Sequence, residues 1–125
     1  MAQEEAKWPD YFPDCCPPET ALASEYTVYR LVKHNPPNDN DFIPYRISKD
    51  PTYWKNRECE ACGVSVFSLI EDANKLQLLP AYKKCLIAQG RITPESGKWS
   101  YTGKHSHITW WIYDGFEAHR MFNIA

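Results

Sequence analysis

The chain has 125 residues, 43% hydrophobic and 24% charged, the size and balance of one globular domain that can enclose a core without metal or disulfide support. Its net charge of −2 excludes a strongly basic nucleic-acid binder, and no stretch approaches the roughly 18 consecutive apolar residues of a membrane helix. Five Trp, eight Tyr and five Phe are more rings than so small a core normally absorbs, so some are expected in a groove or an interface.

Charge is unevenly placed. Up to Glu25 the chain carries Glu4, Glu5, Asp10, Asp14, Glu19 and Glu25 against Lys7, whereas between Tyr82 and His107 it carries Lys83, Lys84, Arg91, Lys98 and Lys104 against Glu95. Such asymmetry fits an acidic arm lying on a basic face, or an anionic ligand near the second region. Met1-Ala2-Gln3-Glu4-Glu5 has neither the basic start nor the apolar run of a secretory signal, and the five cysteines are odd in number. Together these predict a cytoplasmic protein with free thiols.

Residues 1–24 form a proline- and aromatic-rich arm: Pro9, Pro13, Pro17 and Pro18 forbid helix, while Trp8, Tyr11 and Phe12 need something to pack on. Residues 25–125 form the domain. Tyr26 to Val32 is the clearest strand, closed by the turn-forming run His34 to Asn40. Pro44 and Pro51 break the next segment into loop, with a short helix or two around residues 51–55. Val64-Ser65-Val66-Phe67 reads as a short buried strand. Ser68-Leu69-Ile70-Glu71 has the spacing of a capping box and predicts a helix starting at Ser68 and running to Leu79, with Pro80 ending it.

Cys85 to Ala88 reads as strand or short helix, Thr93 to Gly97 as a turn, and His107 to Tyr113 as a strand. Its two-residue period assigns Ile108, Trp110 and Ile112 to the core and His107, Thr109, Trp111 and Tyr113 to an accessible wall. Asp114-Gly115 turns the chain, and residues 116–122 close the domain as a short helix or edge strand. The expected fold is a single α+β domain with a mixed or antiparallel sheet and one clear helix.

Three constellations bear on chemistry. Cys59, Cys62, His105 and His107 are the residue types that hold zinc, but the spacing departs from the usual second half of a structural site, and no zinc is expected. Arg30, within a strand of β-formers, requires a carboxylate or an anionic ligand if buried; with Ser65 and His107 it makes a candidate catalytic set. The basic tract carrying Trp99, Tyr101, Trp110 and Trp111 sets aromatic platforms beside cations, as single-stranded nucleic acid requires.

Tyr29-Arg30-Leu31-Val32, then Gly63-Val64-Ser65-Val66-Phe67 followed by Glu71-Asp72-Ala73, resembles the early-strand arginine and later serine strand of NAD-using ADP-ribosyltransferase and RES-type toxin domains. That resemblance implies NAD as the molecule bound. With Thr109-Trp110-Trp111 added, the pattern also resembles a set of small uncharacterised bacterial proteins, which implies a bacterial or phage origin. No cofactor is favoured by the residues themselves. They favour a non-enzymatic protein-interaction module, with Trp99, Tyr101, His105, His107, Thr109, Trp111 and Tyr113 as its binding face.

Overall fold

The computed structural model describes residues 6–125. Its strands are β1 (Tyr26–Val32), β2 (Val64–Phe67), β3 (Leu86–Ile92), β4 (Gly97–Tyr101), β5 (His107–Ile112) and β6 (Phe122–Ile124). They form one sheet in the order β4-β5-β2-β1-β3-β6, with every neighbouring pair antiparallel. Between β1 and β2 lie three one-turn helices, α1 (Tyr45–Ser48), α2 (Pro51–Trp54) and α3 (Glu58–Ala61); α4 (Ile70–Gln77) is the only longer one among the described residues. The expected α+β domain is therefore found, with the antiparallel form of its sheet.

β1 pairs along its whole length with β3, from Tyr26 opposite Ile92 to Val32 opposite Leu86. β2 pairs fully with β5 but meets β1 only at Tyr29 opposite Phe67. The two-residue alternation sends Val28, Val32, Val66, Ile108 and Trp110 to one face, where they pack with Phe42, Ala118 and Phe122. Gly90 sits mid-strand because the Phe122 ring of β6 lies where a side chain would be.

β4 was read from sequence as part of a basic aromatic tract rather than as a strand. It is a strand because Trp99 alternates inward between Lys98 and Ser100 and pairs with Trp110 across the hairpin. Gly97 opens it at φ +146, where a Cβ would collide with the Trp111 carbonyl.

The largest departure from the sequence reading concerns the other face of β5. Trp111 was expected to be accessible, yet it is 1% exposed. The arm folds over it: Cys16, Ala21, Cys62 and Trp111 form a second core, flanked by Trp8, Tyr11, Phe12 and Cys59. Trp8 stacks on Tyr113 at 4.3 Å between ring centroids, and the Trp111 indole N–H donates to the Cys59 carbonyl at 2.7 Å. The prolines bend the arm around a wall that the period-two argument, applied to β5 alone, leaves bare.

Cys16 and Cys59 form a disulfide, leaving Cys15, Cys62 and Cys85 free. This corrects the expectation that all five thiols are free. The bond ties the arm to α3.

α4 packs against β1, β2 and β3. Its cap is not Ser68, as the capping-box spacing suggested; Leu69 is the N-cap residue and its side chain offers no cap. The cap comes from the β4–β5 loop, where the Ser106 hydroxyl accepts from the Leu69 amide at 3.2 Å and donates to Asp72 Oδ2 at 2.7 Å. The Ser106 amide donates to the same oxygen at 3.1 Å, and these bonds hold the Asp72 carboxyl below its ordinary value. A local motif lost to a tertiary one. Ser106→Ala should therefore destabilise the domain by about 0.5–2 kcal/mol and Ser68→Ala by less, as urea unfolding will show; equal effects would return the cap to Ser68.

Candidate functional site

Ser65 of β2 and Thr109 of β5 are opposite each other, and His107 is opposite Phe67. By the two-residue alternation all four side chains share the sheet face that carries Trp111 beneath the arm. The Ser65 hydroxyl lies 3.0 Å from His107 Nε2. On the other side of the ring, Nδ1 is 2.9 Å from the Thr102 carbonyl and 3.0 Å from its hydroxyl, which in turn meets the Thr109 hydroxyl at 2.7 Å. A carbonyl only accepts, so Nδ1 carries the proton and Nε2 accepts from Ser65. Two of the three candidate catalytic residues are thus brought into the geometry of a hydroxyl and its base.

The third is not. Arg30 alternates with Val28 and Val32 toward the opposite, core face. It donates from Nη1 to the Ser65 carbonyl at 2.6 Å, and from Nε to the Asp41 carbonyl at 2.8 Å. Its guanidinium lies 5.2 Å from the centre of the Phe42 ring. Burial lowers it to about 10, against the opposing pull of Tyr45 and Asp41, so it stays charged at neutral pH. The requirement for a carboxylate or an anion, expected from sequence, is met by two backbone carbonyls and an aromatic face.

Asp41, whose backbone serves Arg30, spends its own carboxylate elsewhere. It accepts from the Lys33 and Asn38 amides at 2.8 and 3.0 Å and meets His34 Nδ1 at 3.1 Å. Burial raises its pKa, but these bonds prevail and the net shift is downward from 3.8. A folded value below the unfolded one means that the stabilisation is complete above the unfolded value and lost as pH falls through the folded value. Asp41→Asn should cost about 1–3 kcal/mol at pH 7 and flatten the acid limb of a stability–pH curve measured by denaturant titration. An acid limb identical to that of the wild type would remove Asp41 from this role.

The zinc candidates do not converge. Cys59 is spent in the disulfide. Cys62 is buried beside Trp111, and burial pushes its thiol up to about 11. His107 is committed to Ser65 and Thr102, and His105 is exposed at the hairpin with φ +61. Among the described residues no group of three or more His, Cys, Asp or Glu is placed to share a metal ion.

Of the expected binding face, Trp99 and Trp111 are buried at 3% and 1% exposure and Thr109 is buried with them, while Tyr101 is exposed. Trp110 is also buried, so the basic tract offers no tryptophan platform for a base. Tyr113 is taken up by Trp8. The exposed apolar residues lie elsewhere. Tyr45 and Tyr53 meet edge to face at 5.1 Å, and Tyr45 interacts with Tyr82, whose amide donates to the Leu79 carbonyl at 2.9 Å. Ile47, two residues after Tyr45 in α1, is 55% exposed, Tyr53 is 51% exposed, and Leu78 and Leu79, one turn before Tyr82, are 82% and 50% exposed. The sequence signal for this patch was present in Leu76-Gln77-Leu78-Leu79, which has too many leucines for one helical stripe.

No family model matches the chain, and neither a curated protein nor a solved structure matches it. No helix among the described residues is long and apolar enough to cross a membrane.

Proposed function

We propose that this protein is a non-enzymatic interaction module that binds a protein partner through the surface built from α1, α2 and the segment following α4. The observation that carries this reading is the exposure of Leu78 and Leu79 beside the Tyr45–Tyr53–Tyr82 cluster. Large apolar side chains gathered on one face, with tyrosines among them, have the composition of an interface core. Fully burying a leucine contributes about 1.5–3 kcal/mol, so Leu78 at 82% exposure has most of that to give and Leu79 at 50% roughly half. Lys75, Lys83 and Lys84 flank the patch in the chain, and Lys49 lies over the Tyr53 ring at 5.4 Å. The partner is accordingly an apolar surface with an acidic rim.

The test is a double variant, Leu78→Ser with Leu79→Ser, compared with wild type by affinity capture from the host and by size-exclusion chromatography at several concentrations. A partner retained by wild type and lost with the variant, with melting unchanged, supports the reading. Equal retention by both moves the interface elsewhere, and concentration-dependent dimerisation abolished by the variant makes a second copy the partner.

A second reading, an NAD-using transferase, is favoured by the meeting of Ser65 with His107; NAD titration followed by calorimetry tests it, and Arg30 would contribute only through the Ser65 backbone. The Cys16–Cys59 bond favours an oxidising compartment over the cytoplasm expected from the N-terminal sequence.

A further inference from the structure

Independently of that surface, a cavity of about 360 Å³ opens where the arm, the segment around Phe42 and the chain after β5 come together. This is the lower end of the range for small-molecule sites. Its charge is one-sided: the lining contains Asp39, Asp114 and Glu117 and not one Lys or Arg. Asp39 and Asp114 have no ion-pair partner among the described residues, and Glu117 is held only by the exposed Arg120 at 2.9 Å, a contact of little energy. Two cations approach from the arm side: Lys7, whose carbonyl accepts from the Asp114 amide at 2.7 Å but which forms no ion pair among the described residues and is not part of the lining, and Arg46, which stands over Tyr11 at 5.8 Å and is paired with Glu58 at 3.2 Å. Aromatic rings make up much of the wall, with Tyr11, Phe42, Tyr113 and Phe116 among them.

His119 is the unusual member of the lining. Its Nδ1 is buried without a hydrogen-bond partner, and its Nε2 is 3.9 Å from Glu117 Oε2, too far for a hydrogen bond. Unpartnered imidazoles of this kind are rare in folded proteins. With nothing bonded to Nδ1, no contact in the fold fixes the ring's tautomer, and Nε2 can accept. An N–H donor bridging Nε2 and the Glu117 carboxylate would serve those two acceptors, with the proton on Nδ1, which stays unpartnered.

We propose that this cavity binds a small organic amine, protonated and carrying an aromatic or branched aliphatic body. The carboxylates select the cation, the rings take the apolar body and the face of the charge, and the Glu117–His119 pair takes the ammonium N–H donors. A quaternary ammonium satisfies the first two but not the third, so it is expected to bind more weakly than a primary amine of the same body.

The experiment uses the full, disulfide-bonded chain at neutral pH, with phenethylamine as the probe and 3-phenylpropionate and phenethyl alcohol as isosteric controls. Binding is followed by calorimetry and by backbone amide NMR. The expected result is saturable binding of phenethylamine alone, with shifts concentrated at residues 113–119, weakened tenfold or more in the variant carrying Asp114→Asn and Glu117→Gln. A melting temperature equal to wild type shows that the variant is folded; His119→Gln supplies a second lesion should it not be. No saturation up to 10 mM, equal binding of all three probes, or undiminished affinity in both variants would each overturn the proposal.

Discussion

Truncation of Trp111 to alanine is expected to cost about 3–5 kcal/mol, as much as truncation of Trp110. Both indoles are fully buried, Trp110 in the main core and Trp111 beneath the arm. A domain of this size has about 5–15 kcal/mol in total, so either variant should be largely unfolded near body temperature. The Trp111 change also leaves the Cys59 carbonyl without its 2.7 Å donor. Urea unfolding followed by far-ultraviolet circular dichroism measures the loss. A Trp111→Ala protein within about 1 kcal/mol of wild type would show that the arm does not close on β5 as described. Leu78→Ser is the contrasting change, since an 82% exposed side chain has little burial to lose.

Breaking the Cys16–Cys59 bond, by reduction or by changing both residues to serine, should lower stability by about 2–4 kcal/mol. The bond spans 43 residues, a long loop whose closure restricts the unfolded chain, and in the native state it fixes the arm over Trp111. Protein purified without reductant, unfolded and alkylated, should take up label at Cys15, Cys62 and Cys85 only, and at two further positions after reduction; five labels without reductant would refute the bond. In the folded state Cys15 should react first. Cys62 sits three residues beyond Cys59 but is buried and held at about 11, so it contributes almost no thiolate at neutral pH and does not exchange with the neighbouring disulfide.

Much of the fold was legible because it is local. Tyr26–Val32, Val64–Phe67 and the core side of β5 follow from β-branched runs and period-two alternation, which a window of a few residues carries. The misses are long-range. The Ser68 cap obeyed a four-residue rule and was displaced by Ser106, a residue 37 positions downstream of Leu69. Trp111 looked like a wall because the arm that covers it begins about a hundred residues earlier in the chain. The Cys59-x-x-Cys62 spacing drew attention to zinc, while the true partner of Cys59 lay in the arm, and no spacing rule links the two. Ser65 and His107 were grouped with Arg30 on residue type, and it takes the β2–β5 register to show that those two meet while Arg30 does not. His119 and Glu117 gave no sequence signal at all, because nothing in a short 3-10 turn announces that its histidine will be left without partners.

A sheet with two ends invites other sheets to add to it, and the two ends here are closed by different means. β6 is only three residues long. β4 is longer, and its outer side is occupied at Trp99, where Leu22 accepts from the Trp99 amide at 2.9 Å and donates to its carbonyl at 2.7 Å. The arm that hides Trp111 therefore leads straight into a blocking bridge. An arm freed from its disulfide and lifted off would uncover Trp111 and remove the one bridge that interrupts the β4 edge at Trp99, so reduction is expected to favour aggregation as well as instability.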